Sequence, residues 1–193
     1  DPGYFSDCSD AVLMSTRGGT VYSRTFMDAF IRPGPGLENW VSRTNYPALG
    51  IVGMPSGRLA MHIQKNYGQP TARLVRYTLR SDGFVSINGP YTGGEMTTRL
   101  LTFQPAADND SSSCRLLVNC ATGAAGSLRV EILGKTGKPL PGYSLADSRE
   151  FIGDFIKRTI EWKNGHDVRP LAGRPIRLRF SLKDADLYSI RFQ

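Results

Sequence analysis

The sequence predicts an all-β fold in two parts: a propeller-blade-like β-meander over residues 1–80, then an antiparallel β-sandwich of the jelly-roll kind over residues 81–193. Two observations predict it. Turn signals built from Gly, Pro, Asn and Asp recur at short intervals, and the segments between them alternate apolar with polar residues. Those segments are short and often interrupted, which suits strands and not helices.

In the first part, residues 11–17 and 21–24 flank Gly18-Gly19 and read as a hairpin. Residues 30–40 are too rich in Pro and Gly for regular structure and read as a long loop. Residues 48–53 and 58–64 flank Met54-Pro55-Ser56-Gly57, a second hairpin. Residues 72–80 form a third strand, with Leu74, Arg76, Thr78 and Arg80 on one face and Arg73, Val75, Tyr77 and Leu79 on the other. A meander of this size matches a propeller blade, and one blade cannot close a propeller. Its apolar face (Val75, Tyr77 and Leu79 with Leu59, Met61 and Ile63) is therefore expected to pack on another surface.

In the second part, residues 84–87 and 96–103 read as strands and residues 107–113 as a polar loop. Residues 116–118, 128–133, 159–163, 176–180 and 187–192 follow as further strands. Leu128, Val130 and Ile132 oppose Arg129 and Glu131; Ile176, Leu178 and Phe180 oppose Arg177 and Arg179. Such strands are covered on one face only, as in two packed antiparallel sheets. One short helical stretch is predicted near residues 147–156, before Trp162, which shares a face with Ile160 and belongs to the core.

With 193 residues the chain can bury a core in one large or two small domains. No apolar run approaches the ~20 residues that span a bilayer, so no membrane partner is expected. The start, DPGYFSDCSD, lacks the basic and apolar regions of a signal peptide, which predicts a secreted or periplasmic protein whose signal was removed or lay on a longer precursor. The net charge is +7, carried by 18 Arg and 6 Lys without any basic run. That spread argues against nucleic acid, which draws concentrated charge, and suits either acidic polymers or plain solubilisation. Cys114 and Cys120 flank one predicted strand about 20 Å long, too far for a disulfide between them.

Several segments together resemble the last blade and the following sandwich of glycoside hydrolase family 32-like proteins, a mostly bacterial group related to invertases and fructosidases. For the blade these are Phe30-Ile-Arg-Pro-Gly34, Asn39-Trp40 with Arg43, Asn66-Tyr67-Gly68, Arg76-Tyr-Thr-Leu-Arg80 and Asp82-Gly-Phe-Val-Ser86. For the sandwich they are Gly126-Ser-Leu-Arg-Val-Glu131, Pro141-Gly-Tyr143, Gly153-Asp154, Glu161-Trp162, Leu171-Ala-Gly-Arg-Pro-Ile-Arg-Leu-Arg-Phe180 and Asp184-Ala-Asp-Leu-Tyr-Ser-Ile-Arg-Phe192. The resemblance implies a fragment that lacks the catalytic blades. The family's Arg-Asp-Pro and Glu-Cys motifs are absent from the sequence, so no catalytic residue carries over.

Glycoside hydrolysis needs two carboxyl groups about 5–10 Å apart, one with a raised pKa. The acidic residues sit in predicted turns or beside basic neighbours, where capping and solvation are the simpler roles. His62 and His166 are isolated, and no Cys/His spacing suits a metal. No cofactor is expected, although the 108–113 loop and the Asp184/Asp186 turn carry the oxygen ligands that a structural calcium takes. Asn109-Asp-Ser111 matches a glycosylation sequon.

Aromatic residues in loops make the best case for binding, because sugar C–H faces pack on rings while Arg and Asn supply directional hydrogen bonds. Trp40, Tyr46, Tyr67 and Tyr91 all fall in Gly-, Pro- and Asn-rich segments, with Arg43 and Asn45 between two of them. The plainer role for such rings is to plug gaps between loop and core. The expected function is docking to a polysaccharide or oligosaccharide, alone or beside a catalytic glycosidase domain or a second copy. Two rivals stand beside it: part of a split or truncated glycosidase whose catalytic residues lie elsewhere, and a protein–protein module using open strand edges.

Overall fold

The computed structural model describes residues 8–35, 39, 43–105 and 113–193, with Cys8 and Arg43 described by their backbone alone. Trp40, Asn109 and residues 108–112 of the polar loop lie outside the described residues. Regular structure is nearly all β, and the chain divides into two compact units, Asp1–Ser81 and Asp82–Gln193.

The first unit carries β1 (Cys8–Ser9), β2 (Arg43–Pro47), β3 (Val52–Gly53), β4 (Arg58–Lys65) and β5 (Arg73–Arg80). β4 is central. β5 pairs along its whole length, from Arg58↔Arg80 to Lys65↔Arg73. β2 and β3 lie end to end on its other edge, at Asn45↔Lys65 and Val52↔Ala60. β1 joins β2 in parallel, so the sheet is not a pure meander.

The predicted Met54–Gly57 turn is present: the Met54 N–H donates to the Arg58 carbonyl, and the Gly57 N–H to that of Met54. The other predicted hairpin is weaker than expected. It pairs only through isolated bridges at Ser15↔Ser23 and Ala11↔Ile31. Met14, Val21, Tyr22, Phe26 and Met27 on this arm stay exposed, so no buried face extends the ladder.

The expected apolar face of β4 and β5 exists as three cross-strand pairs, Leu59↔Leu79, Met61↔Tyr77 and Ile63↔Val75. Ile63 is fully buried; the other five are half-buried.

The second unit carries β6 (Ile87–Gly89), β7 (Gly94–Thr97), β8 (Leu116–Gly134), β9 (Asp154–Thr159) and β10 (Ile176–Phe192), in the order β6-β10-β8-β9 with β7 also on β10. Strands predicted as separate pieces are joined here: 116–118 with 128–133, and 176–180 with 187–192. If straight, the 17 residues of β10 would reach about 55 Å.

They do not run straight. Leu101 bridges Ile176 at the start of β10, while Phe103, just beyond, stacks on Phe192 at its end with ring centroids 3.9 Å apart. The 160–162 segment closes the same loop: the Ile160 N–H donates to the Leu116 carbonyl, and the Trp162 indole N–H to that of Val130. The β8–β10 ribbon is therefore folded over on itself, and its two halves are the layers of the sandwich.

The fold lies where the register jumps from Lys183↔Ser127 to Ala185↔Thr122. Four residues, Gly123 to Gly126, stand there opposite Asp184, whose φ is 43°. A Cβ on Gly126 would come within 2.3 Å of the Asp184 carbonyl oxygen, so only glycine fits.

Both half-ribbons feed one core. Leu116, Val118 and Cys120 come from one half of β8 and Leu128, Val130 and Ile132 from the other, with Ile176, Leu178, Phe180, Leu182 and Leu187 from β10. As expected, Trp162 and Ile160 lie in this core; Cys114 and Cys120 are buried in it as thiols. The predicted helix near residues 147–156 is not formed. Ser148 bridges Trp162 and Phe151 bridges Leu128, after which β9 begins at Asp154. Gly153, at φ 132°, breaks any helical turn between them.

A carboxylate fastens one edge of this core. Asp167 Oδ1 accepts the backbone N–H groups of Cys114 (2.8 Å) and Arg169 (2.9 Å). Burial alone would push this carboxyl up; the two N–H donors and the charges of His166 and Arg169 outweigh it and hold it below the usual carboxylate range. A group depressed in the folded state contributes stability above its unfolded pKa and loses it as pH falls through the folded one. Asp167→Ala is expected to lower the urea midpoint near neutral pH, and the gap from the parent chain should close below about pH 4. Urea titrations across that range check both statements.

Candidate functional site

The predicted site residues that the structure describes fall in different local settings. β2 turns the expected loop around Asn45 and Tyr46 into a strand, so these neighbours point to opposite faces. Tyr46 pairs with Gln64 and stays 39% exposed; Asn45 pairs with Lys65 and is 2% exposed. Asn45 is thus a buried polar residue and not an open sugar contact, which corrects the expectation. Arg43 lies in β2.

Tyr67, just past β4, is exposed, and its ring meets that of Tyr46 edge to face, centroids 5.3 Å apart and planes at 89°. Among the described residues of the first unit, these two are the predicted site residues whose side chains meet. Tyr91 belongs to the second unit. It is exposed in the Pro90–Gly93 turn, with Lys183 Nζ 5.1 Å from its ring centroid.

Behind Asn45 the unit has a polar interior that the sequence did not reveal. Both amide atoms of Asn45, the Asn39 side-chain oxygen and the Gln69 side-chain nitrogen are buried without a hydrogen-bond partner among the described residues. Lys65, also buried, donates from Nζ to the Pro33 carbonyl at 2.7 Å. Each unmet buried polar group costs about 1–3 kcal/mol.

The outward face of the sheet is ordered in rungs. Arg58 faces Arg80, Ala60 faces Thr78, His62 faces Arg76 and Gln64 faces Leu74, with Tyr46 beyond Gln64. Arg58, His62, Leu74, Arg76 and Thr78 are exposed. The alternation in residues 72–80 was the signal that could have found this face.

Several carboxylates elsewhere are engaged. Glu131 pairs with Arg179, Glu150 with Arg129, Glu161 with Arg149 and Asp147 with Lys163. Asp186 Oδ1 accepts from Ser86 and Asn88, so it sits within β10 and not in an open turn for calcium. Among the described residues no three His, Cys, Asp or Glu side chains converge on a metal position. Asp147, bonded by the Ser144 hydroxyl, and Asp167 are both held below the usual carboxylate range. A glycosidase general acid needs the opposite shift.

The 570 Å³ hollow lined by Ser15, Thr16, Arg17, Gly19, Val21 and Ser23 carries one charged group. Among the described residues no helix is long and apolar enough to cross a membrane. Comparison of the chain with protein-family models, curated proteins and solved structures finds no match.

Proposed function

We propose that this chain is the non-catalytic, carbohydrate-docking region of a secreted or periplasmic glycoside hydrolase family 32-like protein, a last blade followed by a jelly-roll sandwich. The observation that carries the reading is the exposed Tyr46–Tyr67 pair at the end of a sheet face. Two rings at right angles give a sugar one flat face to stack on and one edge to lean against, and neighbouring Gln64 offers an amide for hydroxyl groups.

Tyr46→Ala and Tyr67→Ala are each expected to weaken glycan binding by about 1–3 kcal/mol while leaving the melting temperature nearly unchanged. Glycan-array binding followed by titration of the positive glycans checks this. A chain that binds no glycan overturns the reading. Turnover of a bound glycan that a single Asp or Glu substitution abolishes overturns its non-catalytic part.

A second reading, docking to a catalytic glycosidase domain, is favoured by the half-buried pairs Leu59↔Leu79 and Met61↔Tyr77. Apolar surface of that kind is what a neighbouring blade covers.

A further inference from the structure

The meander sheet is drawn from a stretch with a one-sided charge. Between Asn39 and Ser81 the sequence holds Arg43, Arg58, Lys65, Arg73, Arg76 and Arg80 and no acidic residue. Strand alternation then sorts these cations. Lys65 is turned inward to the Pro33 carbonyl. Arg58, Arg76 and Arg80 share the outward face with His62 and Tyr46.

We infer that this outward face of β4 and β5 binds an acidic polysaccharide, one carrying carboxylate or sulfate groups along its length. The inference rests on the carbohydrate reading above and names its substrate class. Two cationic rungs, Arg58↔Arg80 and His62↔Arg76, are set four residues apart on each strand, about 13 Å. Between them lies the neutral Ala60↔Thr78 rung, where Thr78 is exposed and Ala60 is buried. At the far end stand Gln64 and Tyr46, with Tyr67 against the Tyr46 ring.

The face thus offers charge, an exposed hydroxyl at Thr78 and an aromatic end stop in line along the strands. Guanidinium groups pair with carboxylate and sulfate through two parallel hydrogen bonds, which gives Arg its advantage over Lys here. Single-stranded nucleic acid suits the face less well. It needs parallel ring platforms for successive bases, and the Tyr46 and Tyr67 planes stand at 89°.

The test uses the full chain with dextran sulfate, polygalacturonate, neutral dextran, a panel of neutral glycans and single-stranded poly(dT). Both acidic polymers are expected to bind and to raise the melting temperature, with affinity falling as salt rises. Arg58→Gln and Arg76→Gln, both at exposed positions, should each weaken that binding about tenfold and flatten its salt dependence, without changing the melting temperature of the free chain.

Binding of neutral glycans through Tyr46, with no gain for the acidic polymers, overturns the charge inference and leaves the carbohydrate reading standing. Binding of no glycan of either kind removes both. Tighter binding of poly(dT) than of either acidic polymer, lost in the same two variants, assigns the face to nucleic acid and overturns the inference.

Discussion

Replacing Trp162 by alanine is expected to destabilise the second unit by about 3–5 kcal/mol, a large share of the about 5–15 kcal/mol that holds a typical domain. The side chain is 1% exposed, and its ring meets that of Tyr143 edge to face at 5.1 Å. Its indole N–H caps the Val130 carbonyl at 2.9 Å. The Val130 N–H is taken in turn by the Ser148 hydroxyl. The peptide groups of Val130 thus face the 148–162 segment, and loss of the indole leaves a buried acceptor as well as a cavity. Trp162→Phe should refill most of the space and lose the hydrogen bond, costing about 1–3 kcal/mol. Urea unfolding of both variants checks the order; equal losses would show that the cavity adds nothing to the cost of the lost hydrogen bond.

The second large effect lies at Glu131 and Arg179, and it should be asymmetric. The two face each other across β8 and β10, with Arg179 Nη2 2.6 Å from Glu131 Oε1. Glu131 Oε2 also accepts the Leu145 N–H at 3.2 Å. The Glu131 side chain is 3% exposed and that of Arg179 34%. Arg179→Met therefore strands a carboxylate inside the protein, a loss of about 3–5 kcal/mol. Glu131→Gln keeps an acceptor for Leu145 and leaves an arginine that can turn to water, so its cost should be smaller. The double variant Glu131→Met with Arg179→Met should be more stable than Arg179→Met alone, because no charge is left buried. Denaturant midpoints of all three at neutral pH decide the matter, and a double variant worse than either single would overturn the account.

What was legible in the sequence was what local chemistry dictates. Leu128, Val130 and Ile132, or Ile176, Leu178 and Phe180, announce a one-sided strand by alternation alone, and Met54–Gly57 announces its turn. The joining of β8 through residues 121–126 was not legible. Ala-Thr-Gly-Ala-Ala-Gly has no alternation, and small residues there are required only because Asp184, far along the chain, crosses close by. Asn45 and Tyr46 looked like loop residues for the same local reason, although they lie in β2. Pro47 is tolerated because it ends its strand. The burial of Asn45, Lys65 and Glu131 depends on partners and coverings distant in sequence, which no window of residues contains. Of the candidate site, the tyrosines were legible as exposed rings. Their pairing, and the rungs of arginine beside them, required the register of β4 with its neighbours.

The folded ribbon also dictates an order of assembly. β6, β7 and β8 all take β10 as a partner, in pairings such as Ala185↔Gly89, Arg179↔Thr97 and Phe192↔Leu116. None of these contacts is local, so the second unit must close long loops to complete its core, a search that places such folds on the millisecond-to-second scale. The first unit differs, since β3, β4 and β5 are successive neighbours joined by short turns. During synthesis β8 emerges with Val118, Val130 and Ile132 before β10 is available to pair with it. Arg129 and Glu131, interleaved among those residues, keep the waiting strand in water and discourage it from pairing with another chain.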